Sequence, residues 1–87
     1  MMAQQSMLVI STTAPHLFDA GLIAQRFRDA AMIAALKELN PGETLRYRDV
    51  EDPFSLIRKL VITFGAKIEW SYIKRSVGSV VIDFMRR

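Results

Sequence analysis

The stretch LNPGETLRYRDVEDP, residues 39–53, contains the end of one predicted helix, a complete strand and the start of a second helix. The first helix stops at Asn40-Pro41-Gly42, because the residue before a proline is forced out of the helical region and glycine turns freely. Residues 43–50 then alternate between core-facing and charged side chains, which is the period of a half-buried strand. Asp52 is predicted to cap the next helix, with Pro53 at its first position.

Apolar residues recur at helical spacing on both sides of this stretch. The first helix presents Met32, Ile33, Leu36 and Leu39, and the second presents Ile57, Leu60, Val61 and Phe64 before a glycine cap at Gly65. Two strands follow, one carrying Ile68, Trp70 and Tyr72 on one face and the other, after a turn near Gly78-Ser79, carrying Val80, Ile82 and Phe84. The aromatic side chains could stack on nucleic-acid bases, but their phase with the aliphatic stripe favours a core position.

The N-terminal third has two interpretations. We prefer a strand near residues 16–21, followed by a helix that starts within residues 25–29. The alternative is one continuous helix over residues 15–39. Such a helix is long for so small a domain, and Gly21 would lie inside it at a cost of about 1 kcal/mol.

The predicted order is βαβαββ, an α+β two-layer sandwich in which both helices pack on one face of a mixed four-stranded sheet. The domain covers residues 16–87, after an N-terminal extension (residues 1–15) whose stretch MLVIST (7–12) is either an extra edge strand or loosely ordered. A right-handed crossover makes the first two strands parallel. The end of the second strand, with Glu51 and Asp52, then lies at the same edge as the start of the first helix, where ligands tend to bind in such sheets.

Composition limits the functions open to this chain. Its 87 residues, 51% of them hydrophobic, are enough for one domain with one core. The formal charge is +3, and dedicated nucleic-acid-binding proteins usually carry a larger and more concentrated positive charge. There is no cysteine and a single histidine, His16, so thiol chemistry is excluded and no metal or cofactor is expected. Without a long apolar run or a convincing signal peptide, we expect a cytoplasmic protein that makes no membrane contact.

Three short motifs, in order and at matching spacing, resemble the TusA/SirA-like family of small sulfur-carrier proteins. Asp19-Ala20 is similar to the end of that family's first strand, Pro41-Gly42-Glu43 to the turn after its first helix, and Asp52-Pro53 to the start of its second helix. The resemblance covers residues 16–87. An uncharacterised branch of the superfamily, often encoded near denitrification genes or fused to hemerythrin-like domains, resembles the chain at further positions. These are Leu39, Leu56, Phe64, Trp70, Tyr72 and the Val80-x-Ile82 strand.

The departures from the family pattern bear on activity. Where the family has Cys-Pro-x-Pro at the first helix start, this chain has Gln25-Arg26-Phe27-Arg28. A sulfur carrier needs a thiolate there to hold a persulfide, so sulfur transfer by this chain is excluded. The branch also commonly has a histidine near the first helix start and another before Asp-Pro. Asp29 and Glu51 stand at those positions, which puts in doubt any metal or redox role inferred from the histidines.

A candidate ligand-binding site lies at the shared edge. It comprises Gln25, Arg26, Arg28, Asp29, Glu51 and Asp52. In the binding interpretation, a small polar or anionic ligand is held by backbone N–H groups of the helix start and by the two arginines. In the structural interpretation, which we favour, the two aspartates cap helices and the arginines form exposed ion pairs worth under about 1 kcal/mol.

The sheet face away from the helices is the second candidate surface. By strand alternation it carries the candidate interface residues Arg46, Arg48, Lys67, Ile73, Val81 and Met85, together with Glu69, Ser71 and Asp83. Apolar side chains among basic ones could pair two copies sheet to sheet, or dock a partner with an acidic rim. The alternative is a set of scattered surface apolar residues, which are common.

We therefore expect a non-catalytic accessory or regulatory domain that acts through protein contacts, self-association or a small ligand. A link to sulfur or nitrogen-oxide metabolism is implied by the resemblance alone. No nucleophile elbow, glycine-rich phosphate loop or metal-ligand spacing points to an enzyme. The alternative function is a weak nucleic-acid-binding module that uses Arg46, Arg48 and Lys67 with Lys74 and Arg75, and its binding would fall steeply with salt.

Overall fold

The predicted element order is confirmed. The computed structural model describes residues 14–87, so the MLVIST stretch (7–12) lies outside the described residues. The elements are β1 (His16–Asp19), α1 (Gln25–Glu38), β2 (Thr44–Asp49), α2 (Phe54–Phe64), β3 (Ile68–Ser76) and β4 (Ser79–Arg86). Short 3-10 turns lie at Ala20–Leu22 and Gly65–Lys67.

The four strands form one mixed sheet in the order β1-β2-β4-β3. β1 and β2 are parallel, as expected for strands joined through a helix, whereas β4 is antiparallel to both of its neighbours. Both helices pack on the face that carries Leu45, Tyr47, Ile68, Val80, Ile82 and Phe84. We call the other side the open face, because no helix of the described residues covers it. β1 and β3 are the edge strands of this sheet.

The start of the fold decides between the two N-terminal interpretations. α1 begins at Gln25, within the predicted range, and the single helix over residues 15–39 is wrong. The first strand is shorter than the predicted 16–21. It ends at Asp19, whose carboxylate accepts a hydrogen bond from the Gly21 N–H at 3.0 Å and so begins a 3-10 turn.

The helices bury the predicted stripes with one exception. Their buried residues are Met32 and Leu36 in α1 and Leu56, Ile57, Leu60 and Phe64 in α2, with Leu39 just after α1. Val61 was predicted to be core but is exposed, because Leu56 and Ile57 centre the apolar face on the other flank of α2. Gly42 and Gly65, which follow the two helices, have φ angles of +90° and +54°, a conformation that glycine adopts without steric cost.

Two expectations about α2 and β3 are corrected. Asp52 does not cap α2: Pro53 holds the N-cap position, and no side chain makes a capping hydrogen bond there. Trp70 was expected in the core but is 39% exposed. It shares the face of Ile68, but β3 is an edge strand, so Trp70 has a neighbouring strand on one side only. Tyr72 is partly buried against the core.

A β-bulge in β3 changes which side chains share a face. Tyr72 pairs with Ile82, but the next paired residue is Lys74, opposite Val81, so Ile73 is an extra residue. Beyond the bulge, Lys74 belongs to the open face and Arg75, opposite Val80, belongs to the helix-covered face. The bulge therefore leaves Lys74 and Arg75 on opposite faces of the sheet, and only Lys74 lies beside Arg46 and Arg48 on the open face.

Candidate functional site

Five of the six predicted ligand-site residues line one cleft of about 230 Å³ between the start of α1 and the end of β2. They are Gln25, Arg28, Asp29, Glu51 and Asp52, and they are joined there by Tyr47, Asp49, Pro53, Phe54, Ser55 and Leu56. The parallel pairing of β1 and β2 brings these segments to one edge, as the topology predicted. Arg26 is the exception, because it does not line the cleft and its guanidinium lies over the neighbouring Phe27 ring at 4.9 Å.

Asp49 is a cleft residue that the sequence analysis missed. Its carboxylate accepts hydrogen bonds from the Tyr47 hydroxyl at 2.6 Å and from the backbone N–H groups of Val50 and Glu51 at 2.7 and 3.3 Å. Burial, and then the bond to Asp49, raise the pKa of Tyr47 well above its ordinary value, so this hydroxyl stays protonated. The signal was present in the sequence, since Tyr47 and Asp49 are two residues apart in a strand and share a face.

Asp52 joins the start of α2 to β3. Its carboxylate accepts a hydrogen bond from the Tyr72 hydroxyl at 2.6 Å and another from Arg75 Nε at 2.8 Å. The Arg75 guanidinium also lies 4.4 Å from the Tyr72 ring centroid and 5.8 Å from that of Phe54. Burial and the Asp52 bond raise the pKa of Tyr72. We call these four residues the Asp52 network, which explains why the carboxylate is not a helix cap.

The remaining charges of the cleft do not form an anion site. Arg28 donates from Nε to the Ile23 carbonyl at 2.8 Å, and Asp29 forms an ion pair with Lys59 of α2. Asp29 lies inside α1 and is not a cap, contrary to the structural interpretation. Carboxylates outnumber guanidinium groups in the lining, so the cleft suits a cationic or neutral polar group better than the anionic ligand considered from sequence.

An apolar groove adjoins this cleft at the same end of the sheet. Val50 is 66% exposed, Phe54 is 63% exposed and Val77 is fully exposed. They line an open groove of about 480 Å³ together with Val80, Ser76, Gly78, Arg75, Glu51 and Asp52. We call it the end groove. The sequence analysis missed it, because its walls come from the loop after β2, the start of α2 and the β3–β4 turn.

The open face is less basic than predicted. Arg46 is held by Asp83 of β4 through two hydrogen bonds, at 2.8 and 3.0 Å, and this pairing raises the pKa of Arg46. Lys67 lies in the turn before β3, not in the strand. The pairing register places Arg48, Val81 and Met85 on this face, as predicted, and also the exposed Leu17. Ile73, the extra residue of the bulge, is exposed.

Neither a metal cluster nor a membrane span is found between residues 14 and 87. In that range no three His, Asp or Glu side chains are close enough together to hold a metal ion. No helix of the same range is long and apolar enough to cross a bilayer.

Searches with this chain against protein-family models, curated proteins and solved structures find no match. The similarity to TusA/SirA-like proteins therefore stays a prediction based on the motifs.

Proposed function

We propose that this protein is a non-catalytic binding domain whose end groove docks a protein partner. The observation that carries the proposal is the cluster of Val50, Phe54 and Val77, three large apolar side chains exposed around one groove in a small domain. Single exposed apolar residues are ordinary, but a contiguous group beside polar residues is typical of interaction surfaces.

Partner binding would recover hydrophobic free energy at this groove. Full burial of a valine or phenylalanine side chain contributes about 1.5–3 kcal/mol. The Asp52 network restrains one wall of the groove, because Arg75 lies over the Phe54 ring and is itself held by Asp52. A rigid apolar side chain loses little conformational entropy on binding, which favours affinity. A groove of this size fits a short segment of a partner and a transient complex.

The chemistry of the neighbouring cleft supports a binding role over catalysis. Tyrosine hydroxyl groups are protonated near neutral pH, and the raised pKa values of Tyr47 and Tyr72 make both still less suited to act as a general base. Gln25 occupies the position of the thiol in the proteins that this chain resembles, and it lines the cleft without a nucleophilic group. By that resemblance, we propose an accessory role in sulfur or nitrogen-oxide metabolism.

Val77→Asp is the test, with Ile62→Asp as the matched control. Val77 is fully exposed at the end groove, and Ile62 is 78% exposed on α2. Both variants should therefore fold, and both change the net charge by the same amount. The tagged proteins are cross-linked in native lysate treated with nuclease, at low and moderate salt, and bound proteins are quantified. We expect Val77→Asp to lose one or more specific partners by about tenfold, because a charge would enter an apolar contact.

The control decides what a loss means. Partners retained by Ile62→Asp and lost by Val77→Asp support the end groove. Equal retention by both variants would contradict the proposal. Material that disappears with nuclease or moderate salt in every variant would instead support the nucleic-acid alternative, since phosphate binding weakens steeply with salt.

A further inference from the structure

The end groove lies in an acidic part of the described surface, although the chain as a whole is net basic. The charged residues that line the groove and the adjoining cleft are Arg28, Asp29, Asp49, Glu51, Asp52 and Arg75. These are four carboxylates and two guanidinium groups, a formal charge of −2 on a chain whose total is +3. Lys59 pairs with Asp29 from outside both linings and reduces the local charge to −1.

Two of these carboxylates remain without a cationic partner among residues 14–87. Asp52 is paired with Arg75, and Asp29 with Lys59. Asp49 accepts only neutral donors, the Tyr47 hydroxyl and two backbone N–H groups. The Glu51 carboxylate is exposed on the rim that the cleft and the groove share, and no described group bonds to it.

The apolar wall and the free carboxylates are adjacent in both sequence and space. Val50 lies between Asp49 and Glu51, and Phe54 lies three residues after Glu51. A ligand that places an apolar side chain against Val50, Phe54 and Val77 therefore brings its neighbouring residue within reach of Glu51. An anionic neighbour would be repelled there, whereas a lysine or arginine would be attracted.

We infer that the partner presents a short segment in which an apolar residue is flanked by lysine or arginine. The apolar side chain occupies the end groove, and the basic side chain pairs with Glu51, with Asp49 adding to the negative potential. This inference rests on the proposed function of the end groove and adds the chemistry of its partner.

A library of random peptides displayed on phage tests this chemistry without knowledge of the natural partner. Selection uses the full 87-residue chain, and the enriched peptides are synthesised for titration against variants. We expect enriched peptides to combine apolar residues with at least one adjacent lysine or arginine. Glu51→Lys should weaken their binding about three- to tenfold, as expected for reversing one exposed ion pair.

Glu38→Lys is the matched control for Glu51→Lys. Glu38 is an exposed carboxylate at the far end of α1, roughly 13 Å along the helix from Asp29, the last residue of α1 that lines the cleft. The two variants have the same net charge, so a selective loss in Glu51→Lys measures local pairing and an equal loss in both would overturn the inference. Higher salt should weaken wild-type binding and narrow the difference between wild type and Glu51→Lys.

The outcomes separate the two proposals. Basic-apolar peptides that lose affinity in Val77→Asp and in Glu51→Lys support both. Peptides that need Val77 but are acidic or uncharged, and bind Glu51→Lys unchanged, would overturn this inference and leave the groove function standing. If no peptide is enriched, or if the enriched peptides bind Val77→Asp as well as wild type, both proposals fail.

Discussion

Replacing Asp52 by asparagine distinguishes a helix cap from the tertiary network. Asparagine caps helices about as well as aspartate does, so a capping role predicts almost no loss of stability. In the structure, the Asp52 carboxylate is only 16% exposed and accepts from the Tyr72 hydroxyl and from the Arg75 guanidinium. Asparagine keeps one acceptor oxygen but loses the charge that strengthens the bond to Arg75.

The expected magnitude follows from the two hydrogen bonds. A typical intramolecular hydrogen bond contributes about 1 kcal/mol, and one to a charged group contributes more. Because the Arg75 side chain is 55% exposed, water compensates for part of the lost hydrogen bond between Arg75 and residue 52. We therefore expect Asp52→Asn to lower the free energy of unfolding by about 1 kcal/mol and Asp52→Ala by about 2 kcal/mol. For a domain of this size, 1 kcal/mol corresponds to about 4–8 °C in Tm.

Urea unfolding followed by circular dichroism and by Trp70 fluorescence measures the loss. Trp70 is the only tryptophan, and its ring lies 5.8 Å from that of Tyr72, so it reports on this region. Asp29→Ala is the control, because it removes a more exposed ion pair and should cost less than about 1 kcal/mol. In a double-mutant cycle, Asp52→Asn and Arg75→Ala should be coupled. A wild-type midpoint for Asp52→Asn, with a loss confined to Asp52→Ala, would refute the network and restore the cap.

Two further predictions concern the tyrosines and the end of α2. The folded-state pKa values of Tyr47 and Tyr72 are raised above the ordinary 10.0, so the unfolded chain ionises first and stability is lost as pH rises through and beyond that value. In a titration of near-ultraviolet absorbance, the folded protein should form tyrosinate later than the urea-unfolded chain, and coincident curves would contradict the assigned burial. Gly65→Ala should cost about 1 kcal/mol, because φ is +54° there although a methyl group would meet no atom. An unchanged urea midpoint would contradict the expected backbone cost of a side chain at position 65.

Local sequence patterns predict most of the fold. Leu45 and Tyr47 alternate with arginines and form the buried side of β2. α1 ends at Glu38, just before the turn that contains Pro41-Gly42, as expected. The periodicity of α2 is also correct, although Val61 shows that the pattern does not define the edge of the apolar stripe. Such features depend on residues two to four positions apart, and their spacing is visible in the chain itself.

The candidate site was predicted in part. The parallel β1–β2 pairing brings the start of α1 and the loop after β2 together, so Gln25, Arg28 and Glu51 were correctly placed at one edge. Arg26 was not, because neighbouring helix residues point in directions about 100° apart. The end groove could not be predicted from one segment, since Val50, Phe54 and Val77 meet only after the β3–β4 hairpin is placed beside β2.

The sequence by itself determined the element order, the core stripes, the glycine turns and the absence of thiol chemistry. Tertiary structure decided which side chains form hydrogen bonds with each other. Asp52 binds Tyr72 and Arg75, which are 20 and 23 residues away, and does not cap the adjacent helix. It also exposed Trp70 on an edge strand, and the bulge after Tyr72 moved Arg75 to the helix-covered face. Local periodicity encodes which side of an element is apolar, whereas strand order and pairing register decide which distant side chains meet that side.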